Sequence, residues 1–283
     1  MPPIPYFRVY RYLLVLGCAI MVWQGCRNDG SSQGTNTSAP PETPPVPNIA
    51  FNVVKSYPHD KQAFTEGFLF HKGKLFESTG ATKGLPQTRS LFGEVNMETG
   101  VIDTKVEIDK KRYFGEGITF LNGKVYQLTY QSGVGFVYED STYRKLSEFM
   151  IPSPEGWGLT TDGHHLVMSD GTDVITYLNP ADWKVVRRLK VTERGYAKDY
   201  LNELEFVNGM LYANVWRTNE IVRIDPATGK VTGKMDLTRL AEETREQYSG
   251  CQEMNGIAYD TTTSMLYVTG KMWPRIYALT LEE

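Results

Sequence analysis

Five short stations, each centred on a Glu or Asn, recur along this chain at nearly regular intervals. They are Thr65-Glu66-Gly67-Phe68, Gly115-Glu116-Gly117-Ile118, Pro154-Glu155-Gly156-Trp157, Asn202-Glu203-Leu204 and Met254-Asn255-Gly256-Ile257. With Glu66, Glu116, Glu155, Glu203 and Asn255 taken as equivalent, the steps are 50, 39, 48 and 52 residues. A period of about 40–50 residues built from short strands marks a β-propeller. The intervening sequence supports strands. His71-Lys72-Gly73-Lys74, Leu121-Asn122-Gly123-Lys124, Asp162-Gly163-His164-His165 and Asn208-Gly209 each precede a short β-type run. Asn-Gly and Asp-Gly are strong hairpin signals because their residues accept positive φ. A second turn falls inside the steps, at Glu98-Thr99-Gly100, Asn179-Pro180 and 225–229.

No segment holds a sustained 3.6-residue apolar period, so helix is confined to a short piece near residues 237–247. Five units predict an all-β, five-bladed propeller over residues 49–283. The last unit ends one strand short. Residues 51–57 precede the first station and are predicted to supply the outer strand of the fifth blade. Such closure removes the open edge between first and last blades.

The beginning of the chain reads differently. Arg8 and Arg11 precede an apolar run at 13–23 that is too short for a stable span. A positive flank followed by such a run predicts a signal peptide over residues 1–25. Gly25-Cys26 closes the run and is similar to a bacterial lipobox, which makes Cys26 a candidate lipid anchor. Residues 26–48 are polar and contain Pro40, Pro41, Pro44, Pro45 and Pro47, a composition suited to a flexible tether. The expected location is the bacterial cell envelope, facing the periplasm or the surface, or outright secretion. Contact with the membrane is expected through the anchor alone. If Cys26 carries lipid, Cys251 is the one thiol of the mature chain, which excludes a disulfide framework or a cysteine metal site. The net charge is −3, so nothing favours nucleic acid. A monomer is expected.

The first strand of each blade lines the central channel, so a station at its entry faces the axis at one mouth. Five stations therefore gather carboxylates and amides in one funnel. Taken singly, Glu66 or Glu203 reads better as architecture, capping a strand and hydrogen-bonding the neighbouring blade. Trp157, Trp216, Tyr130 and Trp273 lie in or just after the inner hairpins, and together suggest an apolar wall for a small ligand. His59, His71, His164 and His165 have no metal-site spacing, and the two turn histidines are read as solvated.

Ordered motifs from Tyr57 to Trp273 carry a family resemblance. They include Tyr57-Pro58-His59-Asp60, Tyr113-Phe114-Gly115-Glu116-Gly117, Glu155-Gly156-Trp157-Gly158-Leu159-Thr160 and Ser169-Asp170-Gly171-Thr172. Leu201-Asn202-Glu203-Leu204-Glu205, Ala213-Asn214-Val215-Trp216, and Val268-Thr269-Gly270-Lys271 with Trp273-Pro274 continue the series. The chain resembles the zinc-independent glutaminyl-peptide cyclotransferases of plants and bacteria. The resemblance implies a five-bladed propeller that converts N-terminal glutaminyl residues of peptides or proteins to pyroglutamate and releases ammonia, with no cofactor. It implies Glu116 as the catalytic acid, Asn202 and Lys271 as its polar partners, and Trp157 and Trp216 as pocket walls. Two positions depart from the family pattern. Glu66 stands where many members have the Gln of Phe-Thr-Gln-Gly, and Tyr130 where many have the Trp of Leu-Thr-Trp. Both are expected to touch substrate. Lys271 is also open to a second reading, as a salt-bridge partner of Glu116 or Glu66.

Two other classes fit parts of the pattern. Glu116, Asp170, Asn202 and Asn255 are oxygen donors of the kind that hold calcium in propeller lactonases. Against this, such enzymes usually have six blades, and Lys271 would repel a dication. A surface propeller that binds peptide or sugar without chemistry would use the same aromatics.

Overall fold

The computed structural model describes residues 44–282. The expected signal peptide and Cys26 lie outside the described residues. The chain opens with β1 (Phe51–Pro58). Blade 1 follows as β2 (Thr65–His71), β3 (Lys74–Thr79), β4 (Leu91–Val95) and β5 (Ile102–Glu107). Blade 2 comprises β6 (Gly115–Leu121), β7 (Lys124–Thr129), β8 (Val134–Glu139) and β9 (Lys145–Met150). Blade 3 comprises β10 (Leu159–Thr161), β11 (Leu166–Met168), β12 (Val174–Leu178) and β13 (Val185–Lys190). A small hairpin, β14 (Thr192–Glu193) and β15 (Tyr196–Ala197), is inserted before blade 4. Blade 4 holds β16 (Leu201–Val207), β17 (Met210–Val215), β18 (Glu220–Ile224) and β19 (Val231–Asp236). Helix α1 (Thr238–Gln247) leads to blade 5, made of β20 (Met254–Asp260), β21 (Met265–Gly270) and β22 (Arg275–Leu281).

Each blade is a four-stranded antiparallel sheet, and the fifth has the order β1-β22-β21-β20. The N-terminal strand thus closes the ring, with Phe51 opposite Leu281 and Pro58 opposite Arg275. The inner turns follow from residues that tolerate positive φ. Lys72-Gly73, Asn122-Gly123 and Asn208-Gly209 all have φ between 49° and 81°. The Asp162 turn is longer, and its carboxylate accepts the amides of His164 and His165. His165 also pairs with Asp162 through Nδ1 at 2.9 Å, so it is less free than a solvated turn residue.

Apolar side chains collect between neighbouring blades. Five clusters fill five interfaces, from Phe76 and Phe136 between blades 1 and 2 to Phe68 and Ile276 between blades 5 and 1. Trp273, expected at the funnel, is fully buried in the interface of blades 4 and 5, and its indole N–H donates to the Gln252 carbonyl. Its large apolar ring gains more from that core than from a wet mouth.

A polar staple supports the closure. Just past β1, His59 donates through Nδ1 to the Trp273 carbonyl at 2.7 Å and faces Glu77 of β3 through Nε2 at 3.0 Å. Thr65 donates to the same carboxylate at 2.7 Å. The ring nitrogens of His59 both face acceptors, which suits the charged imidazolium. Burial works against that charge, but Glu77, the Trp273 carbonyl and Asp60 together outweigh it, and the His59 pKa ends above its ordinary value. Residues just before β1 are also held, since Pro47 and Ile49 exchange backbone hydrogen bonds with Lys234.

Candidate active site

The inner hairpins decide which side chains meet at the axis. In blades 1, 2, 4 and 5 the pairing of the two inner strands slips near the start of the first. The slip falls at Glu66, at Glu116-Gly117, at Asn202-Glu203 and at Asn255-Gly256. Blade 3 reaches the same place through Trp157, whose N–H donates to the Ser169 carbonyl. The equivalent residues are therefore Glu66, Glu116, Trp157, Asn202 and Asn255. Glu155 and Glu203 do not belong to the set. Glu155 lies two residues before its blade's true station. Glu203 lies one residue after, at the position filled by Gly67, Gly117, Gly158 and Gly256 elsewhere.

That glycine position is where neighbouring inner strands touch. A Cβ on Gly117 would stand 2.4 Å from the Leu159 nitrogen, and one on Gly158 would stand 2.1 Å from the Asn202 carbonyl oxygen. Glu203 fits because its side chain turns across the axis. Its carboxylate accepts the N–H of Phe68 in blade 1 at 3.2 Å and of Ile257 in blade 5 at 2.8 Å. Glu203 therefore ties blade 4 to blades 1 and 5.

A second set of residues comes one step past the second strand in blades 1, 2, 4 and 5. Tyr130, Trp216 and Lys271 follow β7, β17 and β21. Each donates its backbone N–H to the residue that precedes the paired inner strand, respectively Phe114, Tyr200 and Glu253. In blade 1 Gly80 does the same to Phe64. Members of both sets line one cavity of about 670 Å³. Glu66, Glu116, Tyr130, Trp157, Asn202, Trp216 and Lys271 all line it. Phe64, Phe114 and Glu253 line it too, without a role expected from sequence. Counting one residue beyond each inner strand across its hairpin finds all three.

The walls are aromatic and the floor is charged. Trp157 and Trp216 meet edge to face at 5.4 Å, and Tyr200 packs on Trp216 at 5.9 Å. Phe114 lies between Phe64 and Tyr130, at 6.0 Å from each. The Trp157 indole N–H donates to Glu155 at 2.9 Å, and Gln131 donates to the same carboxylate at 2.7 Å. Glu155 thus orients a wall residue from behind.

On the floor, Lys271 donates to Glu66 Oε1 at 2.7 Å, and Asn255 Nδ2 donates to Glu66 Oε2 at 3.1 Å. The Lys271 ammonium also lies 4.6 Å from the Phe64 ring centre. Of the two salt-bridge partners open to Lys271, Glu66 is the one it takes. Glu116 is buried, and among the described residues it makes no ion pair. Burial, and then the nearby charge of Glu66, push its pKa well above the carboxylate range despite Lys271. Burial also raises Glu66, to about 7, against the pull of Lys271. Asn202 Oδ1 is buried with no donor among the described residues. An unpaired acceptor of this kind costs about 1–3 kcal/mol until something supplies an N–H.

The chain is thus a five-bladed propeller with an aromatic-walled cavity at its axis, floored by the buried carboxylates Glu66 and Glu116. The chain belongs to the glutamine cyclotransferase family, whose family model matches residues 29–281. It is 36% identical over 233 residues to glutaminyl-peptide cyclotransferase of Arabidopsis thaliana, covering 82% of this chain and 71% of that one. The crystal structure of Myxococcus xanthus glutaminyl cyclase matches with a TM-score of 0.74 at 31% identity, over 84% of this chain and 99% of that one.

Proposed function

We propose that this chain cyclises N-terminal glutaminyl residues of peptides or proteins to pyroglutamate, releasing ammonia, with Glu116 as the proton carrier. The observation that carries this reading is the buried, unpaired Glu116 carboxylate facing a cavity walled by Phe114, Tyr130, Trp157 and Trp216.

The reaction is intramolecular, so much of its barrier is orientation. Aromatic walls hold the glutaminyl side chain curled over its own α-amine. The amine nitrogen attacks the side-chain amide carbon. Its proton goes to Glu116, and Glu116 returns a proton to the departing nitrogen as the C–N bond breaks. A carboxyl group with raised proton affinity is matched to that exchange near neutral pH. The carbonyl oxygen gains negative charge as the ring closes. Lys271 has N–H bonds beyond the one given to Glu66, and these are suited to that oxygen. Asn202 Oδ1 gains a donor when the substrate amide N–H arrives.

Ammonia release from a glutaminyl dipeptide tests the activity. The Glu116→Gln variant is expected to lose about 10²–10⁴-fold in kcat with its fold intact. A variant that turns over near the wild-type rate overturns the role of Glu116. The same proposal extends to location: residues 1–25 direct export, Cys26 carries a lipid, and the folded part acts as a monomer. The composition of 1–48 supports the first two. Cys26→Ala is expected to release the protein from the membrane fraction, and retention there refutes anchoring through that residue. Size-exclusion chromatography checks the monomer.

A further inference from the structure

Glu66 stands in this chain where the resemblance leads one to expect a neutral amide. The consequence is a matter of charge. The closed end of the cavity holds two buried carboxylates, Glu66 and Glu116, and one buried cation, Lys271. Lys271 is committed to Glu66 at 2.7 Å, and Asn255 supports the same carboxylate. Glu116 is left without a cation among the described residues. With all three groups ionised, the site carries one uncompensated negative charge away from water. An unpaired buried charge is costly, so such a site retains a proton or takes up a cation.

The other groups facing the floor do not supply that cation. Glu155 and Glu253 add negative charge at the edge, and Tyr130 is neutral and bonded to Glu155. Lys83, Lys110, Lys111 and Arg112 line the outer wall but are exposed, where water and salt screen them over about 8 Å. The Phe64 ring lies 4.6 Å from the Lys271 ammonium, so its face serves the cation already present.

We infer that this site binds its substrate as the α-ammonium ion, paired with Glu116, and that Glu66 imposes this choice by cancelling the charge of Lys271. The inference rests on the proposed cyclotransferase reading for its substrate. It also closes the proton balance. The attacking nitrogen arrives with three protons and ends with one. The first passes from the ammonium to Glu116, which frees the lone pair to form the C–N bond. The second leaves the ring nitrogen after attack. One proton goes to the departing NH2 as ammonia, and the other leaves with it as ammonium or passes to water. No outside acid is required to start.

The test uses two ligands that cannot cyclise: norvaline amide, which carries the α-ammonium, and 2-hydroxypentanamide, which carries a hydroxyl in its place. Binding is read from the fluorescence of Trp157 and Trp216 at pH 7, below the α-amine pKa of about 7.7–8.0. The quantity is the preference for amine over hydroxyl. In Glu66→Gln the floor becomes neutral, and the preference falls about tenfold, as expected for one charge-assisted contact. In Lys271→Met, Glu66 loses the cation that favours its ionised form and takes up a proton, so the floor keeps one negative charge and the preference stays near wild type. The double variant Glu66→Gln/Lys271→Met restores the wild-type charge and returns to the wild-type preference. Preferences that ignore this order overturn the inference, including a single Glu66→Gln variant that behaves as wild type. Because the readout is binding, it separates from the reaction. A wild-type protein that follows the order but releases no ammonia from glutaminyl peptides refutes the cyclotransferase reading alone.

Discussion

Gly158 links the packing of the propeller to its chemistry, and Gly158→Ala makes that link measurable. The new Cβ would stand 2.1 Å from the Asn202 carbonyl oxygen and 2.8 Å from Glu203 Cα. Ordinary contact begins at 3.4 Å, so the two inner strands must part by about 1.3 Å. The Asn202 carbonyl is held by the Ser169 hydroxyl at 2.6 Å, and that hydroxyl accepts the Gly158 N–H at 2.8 Å. Parting the strands breaks this bridge. Overpacking costs about 1–3 kcal/mol and the lost hydrogen bond about 1 kcal/mol. For a domain of this size the sum lowers Tm by about 5–15 °C. The same movement displaces Asn202 at the cavity, and a 1 Å misplacement of a positioning group costs about 10²-fold in rate. The assay is ammonia release at a temperature where the variant is folded, alongside a thermal melt. Gly163→Ala is the control. Gly163 sits in an exposed turn at φ +87° with nothing near its missing side chain. That substitution costs about 1–2 kcal/mol of backbone strain and leaves the rate unchanged. Wild-type Tm and rate in Gly158→Ala would refute the close-contact argument. Equal rate losses in both variants would show that stability alone, and not the place of Asn202, is being read.

Two further predictions concern the closure and the wall. His59→Gln removes the cation beside buried Glu77, and its cost is about 3–5 kcal/mol by urea unfolding. The His59 pKa is raised on folding, so its contribution is complete below the unfolded value of about 6.5 and fades as pH rises through the folded value. The gap between wild type and variant should therefore narrow at alkaline pH, and a gap that widens there contradicts a charged His59. Trp216→Ala removes one face of the cavity and the edge contact to Trp157. It is expected to raise KM about tenfold with kcat changed less than about threefold. A fall in kcat with KM unchanged would move Trp216 from holding substrate to the chemical step.

Much of the fold was legible in the chain because propeller blades are local. A hairpin announces itself through Asn122-Gly123 or Asn208-Gly209, whose positive φ is a property of those residues alone. The missing outer strand was legible by count, and β1 beside β22 supplies it. The short helix was found within a residue of its place. The site was read less evenly. Glu116, Asn202, Trp157, Trp216, Tyr130, Glu66 and Lys271 do meet in one cavity. The equivalence among stations was misread in two blades. Glu155-Gly156 and Glu203 imitate the motif in sequence, while hydrogen-bond register, visible only in the sheet, selects Trp157 and Asn202. Phe64 and Phe114 went without a role for the same reason.

The sequence by itself determined the number of blades, the turns between strands and the kinds of side chain delivered to the axis, because each depends on neighbours a few residues apart. Tertiary structure decided which partner each charge takes. Lys271 could have served Glu116 or Glu66, and Glu203 could have faced substrate. Only closure of the ring brings Lys271 to Glu66 across 205 positions of chain, and sends Glu203 across the axis to Phe68 and Ile257. Pairing energies of buried charges depend on distance and desolvation, and neither is written in the order of residues.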